Sequence, residues 1–161
     1  MKKLILIRHA KSSWEYNVKD HERPLNTRGL KDASAVSNVL KGLFYPDLVL
    51  ISSATRTQET AAIFTSNLKI SKKIIQSNHD LYDFSGSDLL KVIKTCNNSI
   101  KELMIFGHNH AITAFVNSYG DLTIDNVPTC GVVVLEFEID NWSDLKPGKT
   151  LKTLFPRDLK N

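Results

Sequence analysis

The chain has 161 residues, of which 42% are apolar and 24% charged. That is the length of one soluble, core-forming domain, and five Pro and seven Gly are too few for a low-complexity or collagenous chain. Lys and Arg (21) exceed Asp and Glu (17) by four, which suits an anionic ligand but falls short of the basic stripe of a nucleic-acid binder.

In chain order, Lys3–Arg8 (KLILIR) reads as a nearly continuous apolar strand, the pattern of a central parallel strand covered on both faces. Arg8 cuts the apolar run short, so it is no signal segment, and no stretch of about 18 apolar residues is present to span a bilayer. A cytoplasmic protein with no membrane contact is expected. A polar loop, Ser12–Asn26, leads to a helix that Asn26 is placed to N-cap, with Leu30, Ala33, Val36, Leu40, Leu43 and Phe44 on its inner face. The strand Leu48–Ile51 is followed by a helix over Ala54–Leu68. A third helix, opened by Ser85 and Ser87, carries Leu89, Val92, Ile93 and Cys96 on one face. Leu103–Phe106 is another buried strand and Ala111–Tyr119 a short helix. Val132–Ile139 and the weaker Thr150–Phe155 are strands expected to pair antiparallel across the turn-rich Asn141–Gly148, where Trp142 is expected to pack. Strands alternating with helices predict an α/β three-layer sandwich, a mainly parallel central sheet flanked by helices, with residues 1–161 as one domain.

In such sheets ligands bind beyond the carboxyl ends of the strands. The first strand runs into Arg8-His9-Ala10-Lys11, the second into Ser52-Ser53-Ala54-Thr55-Arg56, and the third into Gly107-His108-Asn109-His110. Any one of these residues has an ordinary explanation. Two arginines and two histidines leaving one edge of one sheet are much harder to obtain by accident. Guanidiniums offer permanent, planar, bidentate donors to phosphoryl oxygens. A neutral imidazole is a nucleophile toward phosphorus, and a second imidazole can donate to an equatorial oxygen as charge redistributes. The N–H groups that open the helix after Ser52-Ser53 are also placed to face an anion.

Arg8-His9 after the first strand, Arg56 within SSATRTQETA, and Gly107-His108-Asn109 after a late strand resemble the histidine phosphatase superfamily, whose fold is phosphoglycerate mutase-like. RHAKSSW, D-HERPLNTRG and SSATRTQETA are similar to the short SixA-type phosphohistidine phosphatases, over Lys3 to Pro156. The resemblance implies His9 as the nucleophile that carries a transient phosphoryl group, with Arg8, Arg56 and His108 holding the phosphate, and no metal or cofactor. Ala10 and Lys11 stand where the superfamily commonly has Gly and an acidic residue; Lys11 adds a positive charge beside the phosphate or is simply solvated. Relatives acting on esters use a Glu or Asp to protonate the departing oxygen. Leu81-Tyr82-Asp83 falls in the corresponding interval, which makes Asp83 a possible acid, Glu22 a lesser one, and an exposed loop Asp the plain alternative. An alkoxide needs that proton, whereas imidazole leaves more easily, so the acid decides between ester and P–N cleavage.

His21 and Arg23 are candidates for the entrance or else part of a solvated loop. Trp14 flanks the mouth or covers the core edge. His108 and His110 form an HxH pair, but no recognised spacing links them to His79, Asp80 or His21 as metal ligands. Cys96 and Cys130, without CxxC spacing, are expected to be reduced thiols. No nucleotide loop or serine elbow is present. The expected partner is a phosphorylated protein (phosphohistidine) or a small phosphorylated metabolite, with no nucleic acid, and the chain is expected to be a monomer. The leading reading is protein phosphohistidine hydrolysis. A small phosphate ester is the alternative, and a non-catalytic phosphate-recognition module is the alternative of another class.

Overall fold

The computed structural model describes residues 1–160. Six strands, β1 (Lys2–Arg8), β2 (Leu48–Ile51), β3 (Ile75–Ser77), β4 (Glu102–Gly107), β5 (Val132–Phe137) and β6 (Lys149–Leu154), form one sheet in the order β3-β2-β4-β1-β5-β6. The first four in that order are parallel; β5 runs antiparallel to β1, and β6 antiparallel to β5. The four helices are α1 (Thr27–Val39), α2 (Thr55–Asn67), α3 (Ser87–Lys94) and α4 (Ala111–Tyr119).

Because side chains alternate across a strand, each continuous apolar run supplies both faces of the sheet. Leu4, Leu6, Leu103, Ile105, Val133 and Leu135 pack on one side with Leu89 and Ile93 of α3 and Ile112 and Val116 of α4. Ile5, Ile7, Met104, Phe106, Val132 and Val134 pack on the other with Ala33 and Val36 of α1 and Ala61 and Phe64 of α2. The result is the expected three-layer α/β sandwich. Trp142 is buried in the first of these cores and donates its indole N–H to Ile100 O at 2.8 Å. Among the described residues no helix is long and apolar enough to cross a membrane.

Three local expectations change. Leu30 and Leu43 are about half exposed rather than inward. Leu43 lies beyond the end of α1, and Gly29 takes the inner position next to Leu30, where a Cβ would fall 2.1 Å from Lys11 O. Only glycine allows α1 to press against the segment that follows His9. Ser85 and Ser87 do not cap α3; Gly86 (φ 110°) is its N-cap residue and Asp83 supplies the capping carboxylate. Strand β3, three residues on the sheet edge, was not predicted.

Candidate functional site

Parallel pairing of β1 with β4 sets Arg8 opposite Gly107, and the next residues, His9 and His108, stay side by side because His9 N–H donates to Gly107 O at 3.1 Å. Their rings lie 5.4 Å apart between centroids. On the far side of β4, Ser52 N–H donates to Phe106 O at 3.1 Å, so the end of β2 reaches the same edge and α2 brings Arg56 over it in its first turn. Ala10 N–H donates to Thr60 Oγ1 at 2.9 Å, fixing the backbone after His9 to α2. Asn26 caps α1 as expected, its Oδ1 accepting from Gly29 N–H at 2.8 Å.

His9 is 7% exposed, and its Nδ1 lies 2.7 Å from Ala10 O. A carbonyl can only accept, so Nδ1 carries the hydrogen and Nε2 keeps its lone pair. Arg56 Nε lies 3.4 Å from that Nε2. Burial, assisted by the charges of Arg56, Arg8 and Arg23, lowers the His9 pKa to about 3 despite the opposing bond to Ala10. The imidazole is therefore neutral at neutral pH. His108 is 1% exposed and is lowered to about 3 in the same way, by burial first and then by its neighbours His9 and Arg56. Its Nε2 shares a 2.7 Å hydrogen bond with Ser52 Oγ, and its Nδ1 is buried with no protein partner. Arg8 donates from Nη1 to Val127 O at 2.9 Å and likewise leaves a buried Nε without a partner. Buried polar nitrogens without a partner are rare in folded proteins, and these two belong to the residues on either side of His9.

Arg8, His9 and Arg56 line a cavity of about 500 Å³ together with Lys11, Asp20 and Arg23. Trp14, 78% exposed, and Phe84 border it. Arg23 is buried rather than solvated: its guanidinium sits 3.5 Å from the Trp14 ring centroid and donates to Asp20 Oδ1 at 3.1 Å and to Ser12 Oγ at 2.6 Å. Trp14 thus covers an arginine at the mouth and not the core. Lys11 is exposed on the rim. His21 bonds Ser53 Oγ at 2.8 Å, and that hydroxyl also meets His79 Nδ1 at 2.6 Å.

Asp83 does not line the cavity. Its carboxylate is buried and accepts from Ser85 N–H and O–H on Oδ1 and from the N–H groups of Gly86, Asp88 and Leu89 on Oδ2, all at 3.0–3.1 Å. Burial alone would raise its pKa, but these donors hold it below the usual value. Neither the acid nor the exposed loop residue of the sequence reading describes it: Asp83 is an ionised helix cap. Glu22 does not line the cavity either. His108 and His110 do not act as a pair, since His110 is exposed just ahead of α4. Among the described residues no group of three or more His, Cys, Asp or Glu is placed to hold a metal ion.

The sequence reading missed Asp20, Tyr82 and the Ser52 hydroxyl. Asp20 Oδ2 accepts from Arg56 Nη2 at 3.0 Å and from the Tyr82 hydroxyl. Tyr82 in turn stands edge-on to His108, with centroids 5.4 Å apart. Asp20 lay unremarked within D-HERPLN, and attention to Leu81-Tyr82-Asp83 fell on the carboxylate rather than the phenol.

Residues 4–85 match the model of the histidine phosphatase superfamily (branch 1). An uncharacterized chloroplastic protein of Arabidopsis thaliana is 30% identical over 153 residues, covering 89% of this chain and 70% of that protein. The structure of the protein histidine phosphatase SixA complexed with tungstate superposes with a TM-score of 0.79 at 19% identity, over 98% of this chain and 99% of that one. The alpha-ribazole phosphatase from Shigella flexneri superposes with a TM-score of 0.61 at 16% identity, over 86% and 92% of the two chains. The chain belongs to the histidine phosphatase superfamily, branch 1, and is a phosphatase.

Proposed function

We propose that this phosphatase hydrolyses phosphohistidine on a protein through a phosphorylated His9, without a metal or cofactor. His9 Nε2, neutral and unprotonated, attacks phosphorus while the P–N bond to the substrate imidazole breaks. Water then attacks phospho-His9, releasing inorganic phosphate and regenerating the imidazole. Arg8 and Arg56 hold the phosphoryl oxygens; the partnerless Nε of Arg8 is a donor that a phosphoryl group would satisfy, and His108 Nδ1 is a second in the tautomer whose Nε2 accepts from the Ser52 hydroxyl. Lys11 adds charge at the rim. The SixA protein of the same fold was solved in complex with tungstate, an oxyanion, which supports an oxyanion ligand for this fold.

The observation that carries the substrate class is the state of the carboxylates. Asp83 is committed to α3. Burial would raise the Asp20 pKa, yet hydrogen bonds from Tyr82 and Arg56 hold it at about 2, so Asp20 carries no proton to give. Glu15, the other carboxylate lining the cavity, is exposed to solvent. A phosphorylated imidazole tolerates such a site, because its distal nitrogen takes a proton from solvent and the ring leaves neutral; an alkoxide has no such route. A small phosphate ester is the second reading, favoured by a cavity large enough for a metabolite and by the fold shared with the alpha-ribazole phosphatase. The chain, residues 1–161, is read as one monomeric cytoplasmic domain, in keeping with its two free thiols, Cys96 and Cys130.

The test is a panel of phosphohistidine protein, phosphoamidate, sugar phosphate, phosphoglycerate and aryl phosphate, assayed with EDTA present. The highest kcat/KM on phosphohistidine is expected. Preference for a sugar phosphate or phosphoglycerate would establish the second reading. Loss of activity in EDTA, restored by zinc, would contradict the metal-free mechanism, and no turnover of any substrate would leave a phosphate-recognition module.

A further inference from the structure

We propose that Asp20 is the positioning residue of the phosphate clamp: it grips the outer edge of the Arg56 guanidinium and so turns the Nε edge toward His9. The inference rests on the reading of Arg56 as a phosphoryl-binding group.

A guanidinium has two edges able to make paired hydrogen bonds, one through both terminal nitrogens and one through Nε and a terminal nitrogen. Asp20 occupies the first. Arg56 Nη1 donates to its backbone oxygen at 2.7 Å and Nη2 to its carboxylate at 3.0 Å. Arg56 Nε remains, 3.4 Å from the nucleophilic nitrogen of His9. A carboxylate mimicking a bound phosphate would be expected on this inner edge, beside His9. The hydrogen bonds of Asp20 run instead to Arg56, Arg23 and Tyr82, away from the nucleophile.

The anchor is itself held from two elements. Arg23 Nε donates to Oδ1 at 3.1 Å, within the same short 3-10 turn (Asp20–Glu22) and its flank. Tyr82, from the segment between β3 and α3, donates to Oδ2. A buried, long and flexible side chain such as Arg56 has several rotamers, and a fixed acceptor at its far end selects one. The carboxyl is held at about 2, so the anchor stays charged throughout the neutral range. Asp20 thereby joins the mouth of the cavity to the reacting centre without touching the substrate.

The experiment compares wild type, Asp20→Asn, Asp20→Ala and Tyr82→Phe on an aryl phosphate and on phosphohistidine, and follows the Arg56 Nε–H resonance by ¹H–¹⁵N NMR. Asp20→Ala should lower kcat by about 10- to 100-fold through lost orientation, with a smaller change in KM. Asp20→Asn, which keeps an acceptor oxygen for Nη2, should recover part of that loss, and Tyr82→Phe should lose less than either. The Nε–H signal should be sharp in wild type and broadened by exchange in Asp20→Ala, a readout that holds even for a substrate the wild type does not turn over. An unchanged Nε–H signal in Asp20→Ala would overturn the proposal. So would a kcat equal to or above wild type with tighter inhibition by inorganic phosphate, which would make Asp20 a competitor for the clamp. Absent wild-type turnover combined with a broadened signal in Asp20→Ala would count against the phosphatase mechanism and for the anchor.

Discussion

His9, on the floor of the cavity, and His108, buried beside it, stand one residue beyond two paired parallel strands, whereas Asp20, Arg23 and Trp14, at the mouth, come from the irregular segment between β1 and α1. Backbone N–H donors set the floor: His9 N–H to Gly107 O and Ser52 N–H to Phe106 O between strands, and Ala10 N–H to the Thr60 hydroxyl on α2. At the mouth, side chains also bond to side chains, Arg23 to Asp20 and Ser12, and Tyr82 to Asp20. Burial makes the floor electrostatically strong, as the lowered histidine pKa values show. The mouth is wetter, and its charged contacts are more open to screening. Arg56 is the one residue that belongs to both, with Nε toward His9 and its terminal nitrogens on Asp20.

That contrast predicts a graded set of losses. Arg56→Lys should be the most damaging of these changes, because an ammonium keeps the charge but cannot hold Asp20 with one edge and a phosphoryl oxygen with the other. Losing charge-assisted bonds worth about 1.5–3 kcal/mol each corresponds to roughly a 10- to 100-fold fall in kcat/KM. A rate within about twofold of wild type would place Arg56 outside the clamp. Arg23→Ala, confined to the mouth, should cost less than about tenfold in kcat/KM, since its ion pair with the half-exposed Asp20 is partly screened; a loss equal to that of Arg56→Lys would erase the distinction between floor and mouth.

The floor also makes a prediction in pH. His9 and His108 titrate near 3 in the folded chain but near the ordinary 6.5 once unfolded. Below about pH 6.5 the unfolded state therefore takes up protons that the folded state refuses, so stability is full above that value and falls as the pH drops toward 3. His9 itself stays unprotonated over most of that range in the folded chain. Denaturant midpoints should decline from pH 7 to 5 while His9 imidazole ¹⁵N shifts stay those of a neutral ring. A His9 titration near 6.5 in the folded protein would contradict the burial argument.

Asp83→Asn should have the smallest effect on chemistry. An amide cannot accept as the carboxylate does and sets an N–H against the N–H groups that open α3. The expected cost is about 1–3 kcal/mol of stability, read as a lower denaturant midpoint, with kcat/KM per folded molecule unchanged on phosphohistidine and ester alike. A large loss confined to ester substrates would return the acid role to Asp83.

What the sequence disclosed follows the same division. The apolar runs LILI, LVLI and LMIF give way to Arg8-His9, Ser52 and Gly107-His108, and a parallel sheet aligns their ends, so Arg8, His9 and His108 could be located from pattern alone. Arg56 followed from its place in the first turn of the helix after β2. No period governs Ser12–Asn26, and nothing in DHERPLN distinguishes Asp20 from a solvated acid; its role exists only once α2 and Tyr82 are folded beside it. Leu30 and Leu43 mislead because apolar spacing cannot reveal that Gly29 presses against Lys11 or that α1 stops at Val39. Asp83 carried a usable local signal: a carboxylate just before Ser-Gly-Ser and a helical period is placed to cap the helix that follows.

The most direct test of the account is the covalent intermediate on His9. Rapid acid-free quenching of wild type with ³²P-labelled phosphohistidine protein, followed by digestion, should place a base-stable, acid-labile label on the peptide that carries His9. His9→Ala should fold normally, show no label and have no turnover. Label on another residue, or full turnover by His9→Ala, would contradict a phosphatase that works through His9.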